Sequence, residues 1–384
     1  MIYADHAATT FVTEDALSAA MPFLRANYGN ASSSYAFGRA ARRAVETARA
    51  SVAACIGASA EEIVFTGGGS EGNNTVLRGA VECARREGRR AHLIVSAMEH
   101  SSVLATCRAL EACGTAVTYL PVSHDGRVFL DSVADALREE TRLVSVMLAN
   151  NEIGTVQDIA GLATVLRGTG VPLHTDAVQA VGHIPVDVHA LGVTYLTASA
   201  HKFHGMKGTG FLYRAAGAEL PALIAGGGQE SGRRAGTENT AGIAALAAAL
   251  TESCALMEEE AAHQRALVAF TAEELSRALP DLCVHGAGGA HLPGILNVGI
   301  PAVRGESLVH LLDLRNICVS TASACHAGTD APSHVLRAMG CDNGAAMEAL
   351  RISFGRGNTM EEAAVIVREI VQAVEKVRAV GEDR

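Results

Sequence analysis

An α/β fold on a mostly parallel sheet, followed by a smaller α/β unit, is predicted by three features of the sequence. Short apolar runs alternate with helix-patterned segments through the first two thirds of the chain, the pattern of parallel strands joined by crossover helices. An alanine-rich helical stretch then covers residues 238–279, long enough to link two units. Beyond it the alternation resumes in shorter pieces. The 384 residues, 49% hydrophobic and 19% charged, suffice for two or three domains and exclude long disorder.

Taken in order, residues 63–66 read as a short buried strand, followed by Gly67-Gly68-Gly69-Ser70 and a helix to about Arg86. Strands follow at 92–96, 115–120, 143–148, 171–175 and 193–198, with helices at 101–112, 131–140 and 159–167 between them. Residues 211–213, after Gly208-Thr209-Gly210, form one more strand reached by a short turn, which makes the sheet mixed at that edge. In the second unit, segments 295–299, 306–314, 317–320, 333–339 and 350–354 precede a helix that opens with Thr359 and Glu362 at capping-box spacing.

Net charge of −10 argues against a nucleic-acid backbone as the main partner. Nine scattered cysteines without a C-x-x-C pair fit a reducing compartment rather than a disulfide framework or a zinc ribbon. No Lys or Arg precedes Arg25, so a basic signal-peptide start is not expected, and the uncharged run 284–303 is broken by Pro293, Pro301 and five glycines. The expectation is a cytoplasmic protein with no membrane partner.

Only three of the 31 cations are lysines, Lys202, Lys207 and Lys376. A chain so biased to arginine keeps lysine chiefly where arginine will not serve, and chance is the alternative. Lys202 follows a predicted strand end, Ala198-Ser199-Ala200-His201-Lys202, beside another that ends His174-Thr175-Asp176-Ala177-Val178-Gln179. Ligands of open α/β sheets bind at that end. Gly67-Gly68-Gly69-Ser70 is either a tight turn or a phosphate cradle at a helix start. His174, Asp176, His201 and His204 permit a metal reading, weakened by the loop spacing of the last two histidines. A lysine here can instead form a Schiff base with a carbonyl cofactor, with Asp176 facing a ring nitrogen and Ser70 with the glycines holding a phosphate.

In these residues and the motifs around them the chain resembles the cysteine desulfurases, pyridoxal-phosphate enzymes of the class V aminotransferase group, along essentially its whole length. The resemblance rests on Tyr3-Ala4-Asp5-His6-Ala7-Ala8-Thr9-Thr10, Phe65-Thr66-Gly67-Gly68-Gly69-Ser70-Glu71, Met98-Glu99-His100, Asn150-Asn151-Glu152-Ile153-Gly154, the two strand ends, Arg234-Ala235-Gly236-Thr237-Glu238-Asn239, Ser323-Ala324-Cys325 and Arg351-Ile352-Ser353-Phe354-Gly355. It implies a pyridoxal-phosphate transferase fold. Residues 1–12 would be an N-terminal segment packing with the small domain, 13–255 a large domain on a seven-stranded, mostly parallel sheet, and 256–384 a small C-terminal α/β domain carrying the cysteine loop.

The resemblance also implies roles. Lys202 would carry pyridoxal 5'-phosphate and move the substrate α-proton, and Asp176 would keep the ring nitrogen protonated. Gln179 would bond the phenolic oxygen, and His100 would stack on the ring as an acid/base. Gly69, Ser70, Ser199 and His201 would hold the phosphate, with Thr237 reaching the phosphate of a second subunit in a homodimer with shared sites. Arg351, with Asn151 beside it, would grip the carboxylate of L-cysteine. Cys325 would take the substrate sulfur as a persulfide, releasing L-alanine, and pass it to an acceptor protein of iron–sulfur assembly or tRNA thiolation.

Met206 and His326 depart from the usual proline and threonine or serine, and Ala31 and Tyr35 replace a frequent proline and histidine. None removes a catalytic group. A selenocysteine lyase, another class V aminotransferase and a non-catalytic sulfur-delivery scaffold are the alternatives.

Overall fold

The structure, a computed structural model, describes residues 1–321 and 331–382. Cys325, Ser323 and His326 lie outside the described residues. The elements in chain order are β1 (Ile2–Tyr3), α1 (Glu14–Arg25), α2 (Ala36–Cys55), β2 (Ile63–Thr66), α3 (Gly69–Arg86), β3 (His92–Ser96), α4 (Ser101–Glu111), β4 (Ala116–Leu120), α5 (Leu130–Ala136), β5 (Thr141–Ser145), α6 (Ile159–Val165), β6 (Leu173–Asp176), α7 (Val188–Leu191), β7 (Tyr195–Ser199) and β8 (Gly210–Arg214). The long helix α8 (Thr240–Ala278) follows, then β9 (Cys283–His285), β10 (Ile295–Gly299), α9 (Gly305–Asp313), β11 (Ile317–Cys318), β12 (Ser320–Thr321), α10 (His334–Ala338), α11 (Asn343–Met347), β13 (Ala349–Ser353) and α12 (Met360–Glu382).

Seven strands form the main sheet in the order β2-β8-β7-β6-β5-β3-β4. Only β8 runs against its neighbours, pairing antiparallel with both β7 and β2. The strand at 211–213 is therefore not at the sheet edge, as its short turn suggested. It lies inside, and β2 closes that side, because a return strand leaves its outer ladder free for a segment from earlier in the chain. Side chains alternate as strand geometry requires: Leu93 and Val95 pack with Val76, Leu77 and Val103 on the α3 and α4 side, while Ile94 packs with α5, α6 and α8 on the other.

Helix α8 belongs to two cores. Ile243, Leu246 and Leu250 join the core of the main sheet, whereas Leu267 and Leu275 pack under the smaller sheet β12-β13-β10-β9 with α9 and α12. Its apolar length alone would suit a membrane span, but here it is a core helix. The run at 317–320 divides between two sheets, with β11 pairing parallel to the N-terminal β1 and β12 pairing with β13. Helix α5 ends at Ala136, before the expected Glu140, because Leu137 is extended and the Arg138 N–H bonds Thr141 Oγ1 at 2.8 Å, turning the chain into β5. The predicted capping box of α12 is formed, with reciprocal bonds between Thr359 and Glu362.

Candidate active site

A cleft of about 580 Å³ opens beyond the carboxyl ends of β5, β6 and β7, where the loops of an open parallel sheet converge. Its lining includes Gly69, Ser70, His100, Asn151, Asp176, Gln179, Ser199, His201, Lys202 and Arg351. Residues scattered from 69 to 351 thus meet in one space. Thr237 is exposed and outside this lining, on a loop tied back to the cleft by a bidentate bond from Arg234 to Glu71 at 2.9 and 3.1 Å.

One wall is the start of α3, where first-turn N–H groups have no helical acceptor and suit an anion. Gly67, Gly68 and Gly69 leave this turn without side chains. A Cβ on Gly69 would stand 2.6 Å from Val178 Cγ2, and Gly68 has φ of +138°, a backbone region that L side chains rarely adopt. A Cβ on Gly210 would meet Ala198 O at 2.5 Å and Gly68 Cα at 2.7 Å, so β8 supports the loop by backbone contact. Ser70, Ser199 and His201 line the same end. Burial, then Lys202 and Lys207, lower His201 to about 4, so its ring is neutral and bonds Thr9 Oγ1 at 3.2 Å.

Beside it stands Asp176, at the end of β6 and only 4% exposed. Its carboxylate accepts from Val178 N at 3.0 Å and Asn73 Nδ2 at 2.6 Å. Lys202, in the turn after β7, donates from Nζ to the carbonyls of Ala7 and Ala8 at 2.6 and 2.9 Å. Gln179 Nε2 donates to the same Ala7 carbonyl at 2.9 Å. His100 caps α4, its Nδ1 accepting from Ser102 N at 3.1 Å. Together these present an anion cradle, a carboxylate and a primary amine around one space, the set that a phosphorylated aromatic aldehyde with a basic ring nitrogen requires.

At the far end Arg351, in β13 and 1% exposed, donates from Nη2 to Asp5 Oδ1 at 2.6 Å and from Nη1 to the backbone carbonyl of Asn151 at 2.9 Å. The expected neighbour is present, but its contact runs through the main chain. Arg351 Nε is buried with no hydrogen-bond partner among the described residues, an unmet donor on a residue that lines the cleft. The histidines of the metal reading are engaged otherwise. His174 spends both ring nitrogens on Ser145 and Thr197, and His204 bonds Phe11 O. Among the described residues no three His, Cys, Asp or Glu groups gather as a metal site.

Four participants went unassigned in the sequence. Asn73 is fully buried within the polar run Glu71-Gly72-Asn73-Asn74, a signal that a buried amide on α3 would have explained. Asp5 lies inside a quoted motif. The Ala7 and Ala8 carbonyls leave no sequence signal, since any residue supplies a carbonyl.

A profile of the class-V aminotransferase family matches residues 2–366. The chain is 40% identical over 380 residues to a cysteine desulfurase IscS of Dictyoglomus turgidum, covering 99% of this chain and 96% of that one. Among solved structures it is similar to a NifS-like protein, with a TM-score of 0.91 and 36% identity over 97% of this chain and 99% of that one. It is also similar to SspA in complex with cysteine, with a TM-score of 0.80 and 34% identity over 92% and 99% of the two chains.

Proposed function

The chain belongs to the class-V aminotransferase family and is a cysteine desulfurase; we propose that it converts L-cysteine to L-alanine with pyridoxal 5'-phosphate held in the cleft and Cys325 as the sulfur acceptor. The observation that carries the reading is the meeting of Lys202, Asp176, the Gly67–Ser70 cradle and Arg351 around one space. When bound, the cofactor supplies an electron sink for negative charge at the substrate α-carbon.

The residues then divide the work. The α3 N-terminus with Ser70, Ser199 and His201 would bind the phosphate, and Asp176 would keep a proton on the ring nitrogen. Lys202 would hold the cofactor and, as the amine freed when the substrate's own amine takes its place, would take the α-proton on Nζ, a role closed to arginine, which stays protonated. Arg351 orients the substrate carboxylate so that its Cα–H faces Lys202, and Gln179 fixes the ring's phenolic edge. Cys325, as thiolate, attacks the substrate sulfur: the S–S bond forms, the Cβ–S bond breaks with its electrons going to carbon, and a proton completes alanine. The persulfide then leaves for an acceptor protein. Thr237, exposed on its tethered loop, reaches the phosphate of a second subunit in a homodimer, and the enzyme works in the cytoplasm.

Purified protein with pyridoxal phosphate is expected to be yellow, to release alanine from L-cysteine, and to carry one extra sulfur on Cys325 by mass spectrometry. Protein that stays colourless with added cofactor, or forms no alanine, overturns the reading.

A further inference from the structure

We propose that Asn73 and Ser102 are positioning residues that hold His100 as the tautomer protonated on Nε2 and, through one shared amide, fix the orientation of Asp176. The bonds form a continuous chain: Asp176 Oδ2 accepts from Asn73 Nδ2 at 2.6 Å, Asn73 Nδ2 also donates to Ser102 Oγ at 2.9 Å, and Ser102 Oγ lies 2.8 Å from His100 Nδ1. The direction of every link follows from its ends. A carboxylate only accepts, so the Asn73 amide must turn its nitrogen toward Asp176. Its second N–H then meets Ser102, whose oxygen accepts and whose own hydrogen is left for His100 Nδ1.

The backbone closes the assignment from the other side. Ser102 N–H donates to His100 Nδ1 at 3.1 Å, and a backbone amide cannot accept. Nδ1 is therefore an acceptor of two donors, and the proton of neutral His100 sits on Nε2. This arrangement has a cost that a merely space-filling residue would not carry: Asn73 is 0% exposed, and its Oδ1 is buried without a hydrogen-bond partner among the described residues. The orientation is kept because it aims both amide hydrogens at Ser102 and Asp176.

Two consequences follow for the cleft. Neutral His100 is a hydrogen-bond donor at Nε2, and its Nδ1 lone pair is taken by the two Ser102 donors, which leaves removal of the substrate α-proton to Lys202. Asp176, held by Asn73 on one oxygen and Val178 N on the other, cannot rotate away from a ring nitrogen. The kinetic part of this proposal rests on the desulfurase reading, whereas the tautomer does not.

The test starts from cofactor-free protein labelled with 15N-histidine, with the His100 signals assigned by their loss in His100→Gln. Wild type is expected to show an unprotonated Nδ1 and a protonated Nε2, and an Nδ1–H tautomer overturns the proposal. Ser102→Ala removes the hydroxyl donor, so His100 is expected to protonate at higher pH. Ser102→Thr keeps it and restores the wild-type midpoint, with the charged neighbours Glu99, Glu152, Asp176, Lys202 and Arg351 unchanged in both. With cofactor and L-cysteine, Asn73→Ala is expected to lower kcat roughly ten- to a hundredfold with little change in KM, and to shift the visible band of the bound cofactor. An unmoved titration in Ser102→Ala together with an unmoved band and kcat in Asn73→Ala overturns it. The expected 15N pattern in a protein that forms no alanine upholds the tautomer and rejects the desulfurase reading instead.

Discussion

Arg351 and Asp5, from opposite ends of the chain, form an ion pair at 2.6 Å in which the arginine side chain is 2% exposed and the aspartate 18%. Asp5 also bridges Ser353, the Ala7 N–H donates to Ser353 Oγ at 3.0 Å, and the Ala7 carbonyl receives Lys202 and Gln179. Residues 5–8 thus tie the Arg351 end of the cleft to Lys202. Deleting one partner strands a buried charge. Asp5→Ala is expected to destabilise the fold by about 3 kcal/mol in urea unfolding, and Asp5→Asn by less.

Arg351→Ala removes the guanidinium proposed to hold the substrate carboxylate. A charge-assisted bond contributes about 1.5–3 kcal/mol, so KM for L-cysteine should rise roughly ten- to a hundredfold. The cofactor's absorption should persist, since no cradle residue is touched.

Lys202→Ala and Cys325→Ala separate the two halves of the chemistry. The first should abolish the yellow adduct that survives dialysis, and with it all turnover. The second should keep the colour and lose both alanine release and protein-bound sulfur. Absorption spectra, amino-acid analysis and mass spectrometry read these directly.

Glu99 precedes His100, with one oxygen bonded by Ser96 Oγ at 2.6 Å and Met147 N at 2.8 Å and the other without a hydrogen-bond partner among the described residues. Burial above all raises its carboxyl from 4.5 to about 8. Between those values the folded chain holds a proton that the unfolded chain has released. The stability it contributes is full below about 4.5 and lost as pH rises toward about 8. Glu99→Gln copies the protonated form and should flatten that decline, raising Tm at pH 8.

Gly210→Ala tests the cradle from behind. Its Cβ would meet the Ala198 carbonyl at 2.5 Å and Gly68 Cα at 2.7 Å, and backbone atoms have nowhere to give. Cofactor affinity is expected to fall as the Gly67–Ser70 loop shifts, measured by fluorescence titration with pyridoxal phosphate.

The strand pattern was legible because apolar runs with helical spacers leave a period in the sequence, and the motif residues were legible because their order is distinctive. The position of β8 was not, since an inner strand and an edge strand of the same composition differ only in which partner arrives later. Asn73 escaped for a similar reason: an amide on a helix is unremarkable until Asp176 is placed 2.6 Å away.

The sequence by itself determined the fold class and the family, because the order and spacing of its motifs are distinctive, and it singled out Lys202 and Asp176 at two strand ends as the candidates for holding a cofactor. Only the tertiary structure decided that Asp5 neutralises Arg351, that the Ala7 carbonyl serves Lys202 and Gln179 together, and that one asparagine joins His100 to Asp176. Those relationships depend on distance and on which atom donates, and a linear order of residues carries neither.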